Sequence, residues 1–284
     1  MHLKAGTQSI NLDHVVVMGV INVTPDSFSD GGKFLSAAQA IAAAEAMISE
    51  GAGIVDIGGE STRPGSVEVS VQEELDRILP VVAGIASRFA VPVSIDTSKP
   101  AVMLAAVEAG ATMINDVYAL RQEGALEAAS STNAAVCLMH MQGTPSDMQK
   151  DPQYECLVGD ISAFLASRVA ACNAAGIASD RLVIDPGFGF GKNDRHNLAL
   201  LARLDQFTDL GLPMLVGLSR KRTLGSLTGR TAGERMAAGV AAAVIAADKG
   251  ARIVRTHDVA ETVDAMKLMA AVQQAGIEPG RNKQ

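Results

Sequence analysis

VPVSIDTSKPAVMLAAVEAGATMIND, residues 91–116, is the stretch whose reading decides the fold. It opens with a mostly apolar, β-branched run of strand length, 91–96, followed by three polar residues, Thr97, Ser98 and Lys99. Pro100 stands where the first turn of a helix tolerates its missing N–H. The Ala-rich segment after it carries helical spacing and ends at Gly110, which suits the left-handed cap that closes a helix. A second apolar run, 112–116, comes next. Strand, helix and strand joined by short connections form one parallel β-α-β unit. Its strands read as unbroken apolar runs because helices cover both of their faces.

The same pattern continues on either side. Comparable runs occur at 15–22, 53–58, 135–140, 182–185, 214–218 and 253–256, with Ala- and Leu-rich stretches between them, 37–49 and 73–88 being the clearest helices. Gly51, Gly176 and Gly250 repeat the capping position of Gly110. No linker rich in Ser, Pro or Gly interrupts the 284 residues, so a single domain, 1–284, is expected. Eight β-α units in one series predict a (β/α)8 TIM barrel in the α/β class. An open doubly wound sheet is the rival, but the GxGxxG that marks its first turn is absent.

Composition narrows the function. A net charge of −7 argues against a nucleic-acid or membrane-surface binder, which would carry a basic face. With 48% hydrophobic and 19% charged residues the chain is too apolar for disorder. The absence of Trp and the two Tyr leave an aliphatic core. Cys137, Cys156 and Cys172 form no CxxC pair, which favours a reducing compartment. The first residues lack the apolar stretch of a signal peptide, and 15–21 is too short to cross a bilayer, so a soluble cytoplasmic protein is expected.

A barrel puts its chemistry at the carboxyl ends of its strands. Those ends read Asn22; Glu60, Ser61, Thr62 and Arg63; Asp96 to Lys99; Asn115 and Asp116; His140, Met141 and Gln142; Asp185; Ser219, Arg220 and Lys221; and Arg255, Thr256 and His257. Arg63, Lys221, Arg255 and His257 suit an anion, because cations are unfavourable beside helix N-termini unless an anion is there. Asp96, Asn115 and Asp185 can pair with the donors and acceptors of a flat heterocycle. A plainer role stays open for several of these groups. Thr97, Ser98 and Asp116 suit helix caps, the Asp side chains suit loop anchors, and Asn22 suits a loop-bracing amide.

Five histidines show neither HxH after the first run nor HExxH, which removes a tight transition-metal site. Mg²⁺ stays possible, because it takes oxygen ligands and often rides on substrate phosphates; Asn22 can offer one such oxygen. No GxSxG occurs, and Cys137 and Cys156 lack a base partner, so a covalent intermediate is not expected.

Eight blocks in order carry a resemblance: NVTPDSFSDGG (22–32), DIGGESTRPG (56–65), DTSKP (96–100), IND (114–116), LMHMQG (138–143), DPGFGFGK (185–192), GLSRK (217–221) and RTHDV (255–259). Together they resemble the bacterial dihydropteroate synthase family of pterin-binding enzymes, over nearly the whole chain. The resemblance implies condensation of (7,8-dihydropterin-6-yl)methyl diphosphate with 4-aminobenzoate, a (β/α)8 barrel, Mg²⁺ and a homodimer, with no nucleic-acid or membrane partner. It implies a pterin site of Asp96, Asn115, Asp185, Lys221, Met139 and Gly217. Asn22, Arg63, Arg255 and His257 would face the diphosphate, with Asn22 as the Mg²⁺ ligand. Thr62, Pro64, Phe28, Phe190, Ser219 and Arg220 would line the aminobenzoate side. Asp96, Lys221, Arg255 and His257 would act in catalysis.

The family usually carries Ser after GLSRK, where this chain has Arg222, a cation that can reshape the aminobenzoate pocket. The loops at 24–35 and 61–70 are long for βα connections and read as lids. The implied chemistry is a dissociative substitution in which pyrophosphate departs ahead of amine attack. Two rivals remain at this stage. One is a pterin-binding methyltransferase domain; the other is a catalytically silent paralogue.

Overall fold

The structure, a computed structural model, describes residues 1–24, 37–61 and 68–276. It opens on a two-stranded antiparallel hairpin, β1 (His2–Ala5) and β2 (Gln8–Asn11). The barrel strands follow: β3 (Val16–Asn22), β4 (Ile54–Gly58), β5 (Val93–Asp96), β6 (Met113–Asp116), β7 (Ala135–Met139), β8 (Leu182–Asp185), β9 (Leu215–Gly217) and β10 (Ile253–Thr256). Each pairs in parallel with its neighbour, and β10 returns to pair with β3. A parallel bridge from Ile184 to Met214 joins β8 to the start of β9 and closes the ring. The barrel expected from the sequence is the fold observed.

The helices between these strands are α1 (Ala37–Ser49), α2 (Val71–Ala86), α3 (Pro100–Glu108), α4 (Ala125–Ser130), α5 (Leu157–Ala174), α6 (Asp194–Ala202), α7 (Arg222–Thr228) and α8 (Met236–Asp248), with α9 (Val259–Ala275) after β10. Expected ends shift by a residue or two for local reasons. Helix α2 starts at Val71 because the Ser70 hydroxyl accepts the Glu73 N–H and caps it there. Pro100 opens α3 as its composition dictates, and Gly110 after it adopts φ +112°.

The barrel packs two aliphatic cores between strands and helices, one running from Ile21 round to Leu182, the other centred on Val17, Ile184, Val216 and Val254. A third core lies inside the ring. Met18, Ile54, Met113, Ala135, Cys137, Val183, Leu215 and Ile253, from the strands' amino-terminal halves, meet Leu3, Ala5, Ile10 and Leu12 of the hairpin segment. The hairpin stoppers that end of the barrel, and fully burying a residue such as Leu3 or Leu12 contributes about 2 kcal/mol. This element was not read from the sequence.

Strand register aligns the other end. Asn22 lies opposite Gly58, Gly58 opposite Asp96, and Asp96 opposite Asn115, so the last residues of three strands and the penultimate residue of a fourth form one row across the mouth. The expected lids fall largely on residues 25–36 and 62–67, outside the described residues. No helix among the described residues is long and apolar enough to cross a membrane.

Candidate active site

Three strands lock together at the mouth through one arginine, and a fourth joins them through Asp56. Arg255 of β10 donates from Nε to Asp56 Oδ2 at 2.6 Å and from a terminal nitrogen to Asp96 Oδ2 at 2.9 Å. The Asn115 amide also donates to Asp56 Oδ2, at 3.3 Å. Asp56 is fully buried in β4. Burial opposes the charge on Arg255, but the facing carboxylates of Asp56 and Asp96 outweigh it and hold the guanidinium above its ordinary range.

Asp96 responds in the other direction. Burial pushes its carboxyl up to about 7 against the pull of Arg255, and the neighbouring Asp56 adds to the rise. Asp56 Oδ1 and Asp96 Oδ1 are buried and have no hydrogen-bond partner among the described residues. Leaving buried acceptors unpaired is costly, so these oxygens call for N–H donors from a ligand. Asp185, at the end of β8, is buried and raised to about 6, the Gly187 N–H at 2.7 Å partly offsetting that rise.

Lys221 caps α7 through its backbone and extends over the Phe190 ring, with Nζ 4.3 Å from the ring centroid. Burial, then repulsion from Arg255, lowers its ammonium to about 8, while Asp185 and Asp96 hold it up. Such a cation on an aromatic face, inside a partly dry cleft, is a strong recognition element. His257 is lowered to about 4, first by burial and then by Arg255. Its imidazole is therefore neutral near pH 7, with Nδ1 3.1 Å from the Ser219 hydroxyl. With no ligand bound, it offers hydrogen bonds.

Other residues singled out from the sequence have settled positions. Arg220 turns away to an ion pair with Asp258, 2.6 Å, which the Ser219 hydroxyl also approaches at 3.4 Å. That pairing braces a turn in which Arg220 itself takes φ +59°. Met139 is buried beside Val117, Met141 and Met148, with Phe190 packed against the group. Gly217 lies beside Arg255, and a Cβ there would stand 3.9 Å from that side chain. Asn22 is half-buried next to Gly58. Phe28, Thr62, Arg63 and Pro64 lie outside the described residues.

The plainer reading holds for Asp116, whose carboxylate accepts the Tyr118 and Leu120 N–H groups, and for Thr97, which accepts the Lys99 N–H. Lys99 is no anion site either, since it is paired with Glu60 and the fully buried Glu74. Arg222 reaches Gln149 Oε1 at 3.4 Å. Cys137 sits in the inner core, where burial holds its thiol well above the usual range, as expected for packing rather than nucleophilic work.

Sequence reasoning missed Asp56. Its only signal was a carboxylate inside the otherwise apolar run 53–58. Among the described residues no group of three or more His, Cys, Asp or Glu side chains can hold a metal. At the mouth, Asn22 at the end of β3 could offer one amide oxygen to a hard cation. The whole arrangement can hold a flat, N–H-rich ring against carboxylates, with a cation and an aromatic wall alongside.

Comparison with known proteins bears on the family. The pterin binding enzyme family matches residues 18–257. A dihydropteroate synthase of Escherichia coli (strain K12) is 52% identical over 275 residues, covering 97% of this chain and 98% of the relative. Among solved structures, the Yersinia pestis dihydropteroate synthase in a sulfonamide drug complex superposes with a TM-score of 0.94 at 52% identity, covering 96% of this chain and 100% of that one. The Xanthomonas albilineans dihydropteroate synthase with 4-aminobenzoic acid gives 0.91 at 50% identity, over 96% and 98%.

Proposed function

The chain belongs to the dihydropteroate synthase family of pterin binding enzymes, and we propose that its carboxylate-lined mouth holds the pterin while the Phe190–Lys221 wall receives the aminobenzoate. The reaction joins (7,8-dihydropterin-6-yl)methyl diphosphate to 4-aminobenzoate, giving 7,8-dihydropteroate and pyrophosphate, a step of folate biosynthesis. The observation that carries the assignment of roles is the pair of unpartnered oxygens on Asp56 and Asp96 beside Asn115 and Asp185.

The pterin ring presents a donor-rich edge. Asp96, Asn115 and Asp185 meet it, and each N–H that reaches a buried carboxylate favours the ionised form that burial disfavours. Ring binding thus draws Asp96 and Asp185 back from values of about 7 and about 6. Asn22, Arg255 and His257 face the diphosphate; Arg63, which the resemblance adds to them, lies outside the described residues. Arg255 uses two of its donors on Asp56 and Asp96 and keeps others for phosphate. Asn22 would be the protein ligand of Mg²⁺, which supplies charge neutralisation for departing pyrophosphate.

Bond breaking precedes attack. The electron-rich dihydropterin spreads positive charge from its methylene, and the carboxylates of Asp96 and Asp185 lie where that charge is countered. Lys221 and Phe190 hold the aminobenzoate ring, with Ser219 beside His257 and Arg220 held back by Asp258; the roles the resemblance gives to Thr62, Pro64 and Phe28 fall outside the described residues. An aryl amine needs no deprotonation before it attacks; once its C–N bond has replaced the broken C–O bond, the surplus proton passes to water or to the departed pyrophosphate, so no general base is required. Exposed Leu227, Met236, Ile245, Leu268 and Val272 on α7, α8 and α9 supply an apolar face for a homodimer. The three free cysteines suit the cytoplasm.

The test is a turnover assay with both substrates, with and without a chelator. Equal amounts of dihydropteroate and pyrophosphate are expected, and chelation should lower kcat at least about tenfold. Absence of dihydropteroate would overturn the assignment of this mouth; an unchanged kcat under chelation would overturn the Mg²⁺ reading. A methyl-transfer enzyme would release no pyrophosphate, and a silent paralogue would bind the pterin diphosphate without product.

A further inference from the structure

The loop after β8, residues 186–193, has no regular structure, yet side chains hold its backbone at nearly every step. Lys192 Nζ donates to Gly187 O at 2.9 Å and to Phe190 O at 3.0 Å, and it approaches His140 Nδ1 at 2.9 Å. From outside, Gln149 donates to Gly189 O at 2.6 Å and Tyr154 to Gly191 O at 2.7 Å. Asn197 accepts the Gly189 N–H and donates to Lys192 O. The loop also presses directly on the end of β7: a Cβ on Gly187 would stand 1.9 Å from His140 O, and one on Gly191 2.5 Å from Gln142 O.

Lys192 is fully buried, which is rare and costly for a lysine. A methionine would fill the same volume without that penalty. What a lysine supplies and a methionine does not is N–H donors at one point, and Gly187 O and Phe190 O take two of them. His140, whose imidazole burial lowers to about 2, shares a hydrogen bond with the same nitrogen through Nδ1 at 2.9 Å. The two carbonyls so fixed flank the parts of the site with different tasks. Gly187 gives its N–H to Asp185, the pterin anchor, and Phe190 carries the ring beneath Lys221.

We propose that Lys192 is a positioning residue for the condensation, with Gln149 and Tyr154 as outer stays, and that it sets the spacing between the pterin anchor Asp185 and the aminobenzoate wall Phe190. The proposal rests on the roles given to those two residues above. Lys192 itself touches no substrate; it acts through the loop. A small displacement of a binding wall is enough to cost one or two orders of magnitude in rate or affinity.

The experiment varies each substrate separately for Lys192→Met, Gln149→Ala and Tyr154→Phe, with folding checked by circular dichroism and melting. Lys192→Met should raise KM for aminobenzoate about tenfold while KM for the pterin diphosphate moves less than about threefold. The two stays should shift aminobenzoate KM in the same direction by a smaller factor. Should Lys192→Met fail to fold, the stays decide the matter, because they loosen the loop while keeping the lysine. Folded variants whose aminobenzoate KM stays within twofold of the parent would overturn the proposal. A parent chain that makes no dihydropteroate would instead overturn the site reading beneath it.

Discussion

Replacing Asp56 by asparagine keeps its shape and removes one charge from the centre of the mouth. In the folded chain that carboxylate is fully buried, 2.6 Å from Arg255 Nε and 3.3 Å from the Asn115 amide. Removing one member of a buried ion pair costs about 3–5 kcal/mol, because the partner's charge is left uncompensated. Two features place this case at the lower end. Arg255 keeps its second bond, to Asp96 at 2.9 Å, and its side chain is 22% exposed, so solvent relieves part of the loss. A cost of about 3 kcal/mol corresponds to a fall in melting temperature of about 5 °C for a chain of this size.

Catalysis should suffer separately. With asparagine at position 56 the guanidinium and the Asn115 amide keep an acceptor oxygen but lose its negative charge, and kcat/KM for the pterin diphosphate should fall about a hundredfold. The assay pairs a thermal melt with steady-state kinetics for Asp56→Asn, Arg255→Gln and the double variant. The double variant should be less damaged than the sum of the singles, since no buried charge is stranded. A single Asp56→Asn variant that melts within about 1 °C of the parent and keeps its kcat/KM would refute the reasoning.

Stability should also depend on pH in a way set by the site. Asp96, Asp185 and Asp116 titrate in the folded chain at about 7, about 6 and about 6, all above the unfolded carboxyl value of 3.8. The folded chain therefore keeps protons that the unfolded chain has released, and this contribution to stability, full below about pH 4, is lost as pH rises to about 7. Lys192 and Lys221, lowered to about 7 and about 8 from 10.5, act oppositely and return stability between those values and 10.5. Melting of the unliganded chain against Asp96→Asn should show the parent losing relative stability from pH 5 to 7; a constant difference would remove burial as the cause. At the other end of the barrel, Leu3→Ala should cost about 3 kcal/mol, read as a lower melting temperature, with kcat unchanged.

The fold was legible because parallel strands covered on both faces leave unbroken apolar runs, and because Pro100 and Gly110 punctuate them in the correct order. The opening hairpin was not legible for a physical reason. Each of its strands has four residues and too few apolar ones to show a period, and its stability comes from the inner core it stoppers rather than from its own sequence. Asp96, Asn115 and Asp185 stood out because each ends an apolar run, where a polar group has a mouth to face.

Asp56 was hidden by the same continuity that revealed the strands: when both faces of a strand are buried, a period of two cannot tell the inside of the barrel from the outside. Lys192 follows a run of alternating glycines, and only tertiary packing shows that it is buried. His257 was legible as a site residue but not in its charge, since the burial that lowers it is a property of the closed ring. Neither the cap reading nor the ligand reading of Asp116 could be chosen without seeing where the Tyr118 and Leu120 N–H groups point.

The most direct measurement is calorimetric titration of (7,8-dihydropterin-6-yl)methyl diphosphate into the parent chain and into Asp185→Asn. A buried carboxylate receiving ring N–H donors should make the variant bind about a hundredfold more weakly, equivalent to about 2.7 kcal/mol. Equal affinity in a folded variant would mean that the pterin does not rest on the carboxylates of the barrel mouth.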